Sequence, residues 1–218
     1  MVDPAPAIEV WYGDHQEFGQ LGDPQPLVNI LGSATHPRAI GDAFYRVNKG
    51  ERQQIVFGCD LHRLARSGDF NLEIDRTQLR EGTNLVEILV RTLHGFEVTR
   101  TVTVEYDTGN RWPLPYSVDW RTVDDIQDVA EVVDGKWVLT GDGVRTAEPY
   151  YDRVLAFGDA SWKDYEVVVD VTYHEIFGDH EGRNIKGPPY LDHAHASLAL
   201  RWGGHPADGH IPRREWRN

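Results

Sequence analysis

Apolar and polar residues alternate with a period of two through most of this chain, in short runs punctuated by Gly, Pro, Asn and Asp. Half-buried strands joined by turns produce that pattern. Residues 8–12 predict a first strand, and residues 27–31 (LVNIL) predict another that ends at Gly32. Residues 43–47 and 53–57 flank Asn48-Lys49-Gly50-Glu51, where Asn and Gly suit a turn needing positive φ, so these two runs are expected to pair as a hairpin. Asp60 is placed to cap a helical turn over 60–66, which Ser67-Gly68-Asp69 breaks. Phe70, Leu72 and Ile74 then alternate with Asn71, Glu73 and Asp75. Val86, Ile88 and Val90 form one inward row, and Phe96, Val98, Val102 and Val104 form the next. With Leu93-His94-Gly95 as the turn between them, this is the clearest hairpin in the chain.

Residues 107–115 (DTGNRWPLP) shift to turn formers and two prolines, which places a boundary near Gly109 and two domains at 1–108 and 109–218. Trp112 is expected to pack rather than to bind. Strand logic resumes with residues 116–120, and residues 129–133 lead through Asp134-Gly135 into 137–140 as an expected hairpin. Gly141-Asp142-Gly143 turns the chain again, and residues 152–158 follow. The most regular alternation lies in residues 162–174 (WKDYEVVVDVTYH) and 193–202 (HAHASLALRW). Each predicts a strand with one polar face. An antiparallel register that sets Asp170 opposite Ser197 and His174 opposite His193 also sets Glu166 opposite Arg201, as a cross-strand ion pair.

Charge narrows the partners. The 35 acidic residues exceed the 22 basic ones, giving a formal net charge of -13 with no basic stripe, which disfavours nucleic acid and anionic membranes. One cysteine, Cys59, leaves no intrachain disulfide and reads as a small buried residue. Residues 1–10 (MVDPAPAIEV) carry no secretory-signal pattern, and no stretch is long and apolar enough to insert in a membrane.

Residues 79–106 (LREGTNLVEILVRTLHGFEVTRTVTVEY) resemble the last two strands of bacterial Ig-like or fibronectin type III-like modules. The size of the first hundred residues matches one such sandwich. Further on, DGKWVLTGDGVR, DRVLAFGDASWKDYEVVVDV and ASLALRW together resemble the concanavalin A-like lectin/glucanase superfamily, in particular its laminin G-like jelly rolls. The two resemblances imply an all-β chain, an Ig-like β-sandwich followed by a concanavalin A-like sandwich. Domains of that superfamily carry further strands beyond the one matching 196–202, whereas this chain continues as GGHPADGHIPRREWRN. The second domain is therefore expected to be incomplete.

The polar face of the two regular strands is the candidate site. Asp170, His174, His193, His195 and Arg201, with Trp162 and Tyr190 at the rim, are residue types that hold sugars through planar polar groups and aromatic rings. The pair His193 and His195 with His174 and Asp170 also suits a transition metal. Glycoside hydrolysis needs two carboxylates at a set separation. Glu166 and Asp170 depart from the Glu-x-Asp-x-x-Glu cluster of glucanases resembling this fold, and no catalytic residue is assigned. Oxygen-rich turns at 141–143, 158–160 and 178–181 leave Ca2+ open as a cofactor, without EF-hand spacing. The resulting expectation is a non-catalytic recognition module outside the cell or on its surface, with carbohydrate as ligand and the Ig-like unit as spacer. A carbohydrate-active hydrolase using the same polar face is the alternative, and an adhesion module with protein contacts is the third reading.

Overall fold

Twelve strands and a few short 3-10 turns make up the regular structure of the described residues, so the chain is all-β. The structure is a computed structural model, and it describes residues 6–22, 25–36, 39–58, 64–109, 111–147, 153–174 and 196–204. These fall into two compact units, one running as far as Trp162 and including Gly204, the other spanning Lys163–Gly203.

Two sheets open the first unit. β1 (Ile8–Val10), β3 (Leu27–Ala34) and β6 (Asp69–Asp75) form an antiparallel three-stranded sheet in the order β1-β3-β6. The other sheet has five strands in the order β2-β8-β7-β4-β5, with β2 at His15–Phe18, β4 at Ile40–Val47, β5 at Gln53–Gln54, β7 at Gly82–Thr92 and β8 at Glu97–Tyr106. β2 runs parallel to β8, and the other pairs are antiparallel. The inward rows expected at Phe70, Leu72 and Ile74, at Val86, Ile88 and Val90, and at Val102 and Val104 are all buried and meet Val28, Ile30 and Tyr45 in one core. Burying one such side chain contributes roughly 1.5–3 kcal/mol. Phe96 departs from its expected row, because it lies at the hairpin turn and is exposed.

The hairpin of β4 and β5 forms as expected, with Phe44 opposite Gln54 and Tyr45 opposite Gln53. Its left-handed residues are Asn48 and Lys49 rather than Gly50. Asn48 is held there because its side-chain oxygen accepts from Leu85 N at 3.0 Å and its amide donates to Asn84 Oδ1 at 2.7 Å. Asn84 is itself buried, donating to Arg80 O and Gly82 O at 2.8 Å each and accepting from Arg80 N. The two asparagines thus tie the hairpin turn to the start of β7.

Residues beyond Gly109 add three-residue and four-residue strands to the same unit. β9 (Glu131–Asp134) pairs with β12 (Val154–Ala156), and β10 (Trp137–Leu139) pairs with β11 (Val144–Thr146). The expected hairpin across Asp134-Gly135 is corrected by this pairing. The segment after the turn is engaged elsewhere, since Lys136 O accepts from Ala147 N at 2.7 Å and Trp137 stands opposite Thr146, while the Tyr12 hydroxyl donates to Gly135 O at 2.6 Å and accepts from Trp137 N at 2.8 Å. Residues 116–119 are not a strand either, and Trp120–Thr122 make a 3-10 turn capped by Asp119. Trp112 is buried, and its indole donates to Asp128 O at 3.2 Å.

In the second unit the two regular alternating segments do not form a ladder. Residues 163–174 and 196–199 carry no strand, and Leu200 and Arg201 lie in a turn, with Arg201 at φ 53°. Val168 is 86% exposed and Leu200 60% exposed, so neither segment has buried an apolar face. Alternation specifies a strand only where a layer covers one face, and no described residue of this unit supplies that layer.

The first sheet sets a sharp steric test. Gly32 sits between Val10 of β1 and Phe70 of β6. A Cβ added there would stand 2.3 Å from Glu9 O and 2.5 Å from Phe70 Cζ. Gly32→Ala is therefore expected to destabilise the protein by about 1–3 kcal/mol in urea unfolding. An unchanged midpoint would show that β1 does not approach β3 so closely.

Candidate functional site

The residues expected to share a polar face divide as follows. Asp170, His174 and Arg201 are exposed in the second unit, and no hydrogen bond or ion pair joins any of them to another. Glu166 and Arg201 likewise make no ion pair, so the expected cross-strand pairing is absent. The two segments do approach at one point, where the Tyr173 hydroxyl donates to Ala196 O at 3.2 Å. His193, His195 and Tyr190 lie outside the described residues, as do Cys59 and residues 178–181. Trp162 belongs to the first unit, where its indole donates to Trp112 O and its ring packs 5.4 Å from that of Tyr116. Its position covers a core edge: Gly158 has room for no side chain, since a Cβ there would meet the Trp162 ring at 2.8 Å.

Two of the oxygen-rich turns are described. Asp142 accepts from Thr140 Oγ1 at 3.1 Å, and Asp159 accepts from Ser161 N at 2.9 Å, so each carboxylate caps its own turn. Among the described residues, no three His, Cys, Asp or Glu side chains converge as ion ligands.

A surface site that the sequence does not announce lies on the solvent face of the five-stranded sheet. It is a shallow depression of about 80 Å³ lined by Phe44, Arg46, Arg52, Glu87, Leu89 and Thr99. The strand period explains the lining, since Ala43, Tyr45, Val47, Val86, Ile88 and Val90 turn inward and leave the alternate residues outside. Register does the rest. Phe44 stands opposite Leu89, Leu89 opposite Thr99, and Arg46 opposite Glu87. Phe44 and Leu89 are half-buried and form the floor. Arg46 Nε donates to Glu87 Oε2 at 2.5 Å, and this bond holds the Glu87 carboxyl below the usual carboxylate range. Glu87 is thus an ionised acceptor at neutral pH. Neither Arg46 nor Glu87 stands out in the sequence, because nothing local says that β4 and β7 are neighbours.

One buried carboxyl stands apart from the surface. Glu131 is 5% exposed in β9 and accepts from the backbone N–H groups of Gly19 and Leu21, while its Oε2 has no partner. Burial pushes its pKa up to about 7. At 5% exposure it is closed off from solvent, so its perturbation bears on stability. Burial likewise pushes Tyr12 up strongly and Tyr116 to about 12.

No family model matches the sequence, and no curated protein matches it. Among solved structures the chain is similar to the endo-beta-1,4-mannanase from Thermotoga petrophila, with 9% identity and a TM-score of 0.36, over 50% of this chain and 21% of that chain. The chain thus spans about a fifth of that structure's length.

The folded pKa of Glu131 lies above its ordinary value of 4.5, so its contribution favours the fold below pH 4.5 and is lost as pH rises toward 7. Glu131→Gln keeps an acceptor for the two amides without the charge. Urea unfolding at pH 8 is expected to show the variant more stable, by on the order of 3 kcal/mol at most, with the difference vanishing below pH 4.5. Parallel pH profiles for the two proteins would remove Glu131 as the titrating group.

Proposed function

We propose that the protein is a non-catalytic recognition module acting outside the cell or on its surface, with carbohydrate as its ligand. The observation that carries this is the depression on the five-stranded sheet. A half-buried aromatic ring, a guanidinium hydrogen-bonded to a carboxylate, and a threonine hydroxyl meet there on a face of paired strands. Sugars are bound by stacking of their C–H face on a ring and by planar polar groups that read hydroxyls. The sole carboxylate lining the depression, Glu87, is engaged by Arg46. Glycoside hydrolysis requires a second carboxyl and a proton donor, so the geometry favours binding over the rival hydrolase reading.

The strand order β1-β3-β6 against β2-β8-β7-β4-β5 supports reading residues 1–108 as an Ig-like sandwich, with β2 parallel to β8 at its edge. Residues 109–218 remain the proposed concanavalin A-like domain, and Asp170, His174 and Arg201 remain a second candidate surface within it. In this reading the Ig-like sandwich is more than a spacer, because it carries the better-formed site.

A glycan array probed with the full chain, followed by titration calorimetry on the hits, tests the proposal. Binding without release of reducing ends is expected, and Phe44→Ala should weaken it about tenfold, as loss of a stacked ring does. Release of reducing sugar would establish the hydrolase instead. Silence across the array would overturn carbohydrate recognition.

A further inference from the structure

The charges around the depression narrow the ligand further. The protein carries a formal net charge of -13, yet the lining holds two cations, Arg46 and Arg52, against one anion, Glu87. The two guanidinium groups are not equivalent. Arg46 is spent on Glu87 at 2.5 Å. Arg52 makes no ion pair among the described residues, and it is exposed. It lies next to β5, two residues before Gln54, which pairs with Phe44, so strand alternation brings Arg52 to the same outer face beside Arg46. Lys49, in the same hairpin turn, adds positive field that reaches Glu87. The turn that leads into Arg52 is pinned by Asn48 and Asn84, and Arg52 lines the depression together with Phe44 and Leu89.

We infer that the depression is a subsite for a carboxylated pyranose, the uronate unit of an acidic polysaccharide. The inference rests on the carbohydrate reading above and adds the ligand's charge class. Each group has one job. Arg52 offers a planar fork that matches a carboxylate bidentately, which an ammonium would not. Phe44 and Leu89 take the apolar ring face, while Glu87 and Thr99 read hydroxyls. A neutral sugar would leave Arg52 unmatched, and a simple anion would leave the apolar floor unused. A ligand with a carboxylate, hydroxyls and a C–H face on one small ring uses all of them.

Titration calorimetry on the full chain with trigalacturonate, its methyl ester, cellotriose and hexaglutamate tests this. Trigalacturonate is expected to bind, with the ester and cellotriose weaker by about tenfold, the worth of one charge-assisted contact. Arg52→Gln should reduce trigalacturonate binding to the level of the ester and leave ester binding unchanged, with an unaltered circular dichroism spectrum. Arg121→Gln, whose native guanidinium pairs with Asp119, should change nothing. Raising the salt should narrow the gap between acid and ester. Equal binding of acid and ester, or indifference to Arg52→Gln, would overturn the acidic assignment while leaving carbohydrate recognition standing. Hexaglutamate binding as tightly as trigalacturonate would overturn the sugar in favour of an acidic peptide. Binding of none of the four would overturn the uronate assignment, while the glycan array decides the carbohydrate reading separately.

Discussion

β3 is buried on both of its faces, and the rest of the first unit is arranged around that constraint. Val28 and Ile30 enter the core between the two sheets, while Leu31 joins a separate cluster with Ile126, Ala130 and Val132. Asn29 also points away from the main core, and its amide donates to Val133 O at 2.7 Å. A strand with two apolar surfaces must be covered twice. The opposing five-stranded sheet covers one side, and the segment around β9 covers the other. Residues on both sides of the Pro-rich stretch near Gly109 therefore contribute to one compact unit.

Covering β3 from both sides leaves the five-stranded sheet as the face with water on it. Its outer residues are free to carry chemistry because its inner ones already fill the core. The two asparagines, Asn48 and Asn84, matter here beyond their local bonds. They join the turn that leads into Arg52 to the start of β7. A binding surface built on paired strands is pre-organised, so less ordering cost opposes the ligand than on a loop. Buried Glu131 belongs to the opposite regime. It bonds β9 to the end of β2 through Gly19 and Leu21, at an electrostatic cost that rises as it ionises.

Two local patterns survived into the structure with their partners close in sequence. The hairpins β4–β5 and β7–β8 were legible because a turn and two alternating runs fully specify them. β2 was not: His15–Phe18 is short, and its partner β8 lies some ninety residues later. The Asp134-Gly135 turn misled for a related reason. The turn chemistry is genuine, with Gly135 at φ 83°, but β9 pairs with β12 and the segment from Lys136 onward pairs with β11, so the turn joins strands of two different sheets. In the second unit the alternation of residues 165–173 promised a strand, and its valines stay exposed because a period of two names a face without supplying its cover.

The sequence by itself determined the all-β class, the inward rows of the sandwich, the acidic balance and the residue types available for recognition. Those follow from periodicity and charge, which are properties of neighbours along the chain. Tertiary structure decided which outward residues stand together. Phe44, Arg46, Arg52, Glu87, Leu89 and Thr99 come from three strands and a turn, and only the β4–β7–β8 register gathers them. It also left Asp170, His174 and Arg201 apart, since a shared face exists only when strands are paired, and pairing is a contact between segments that no single run of residues encodes.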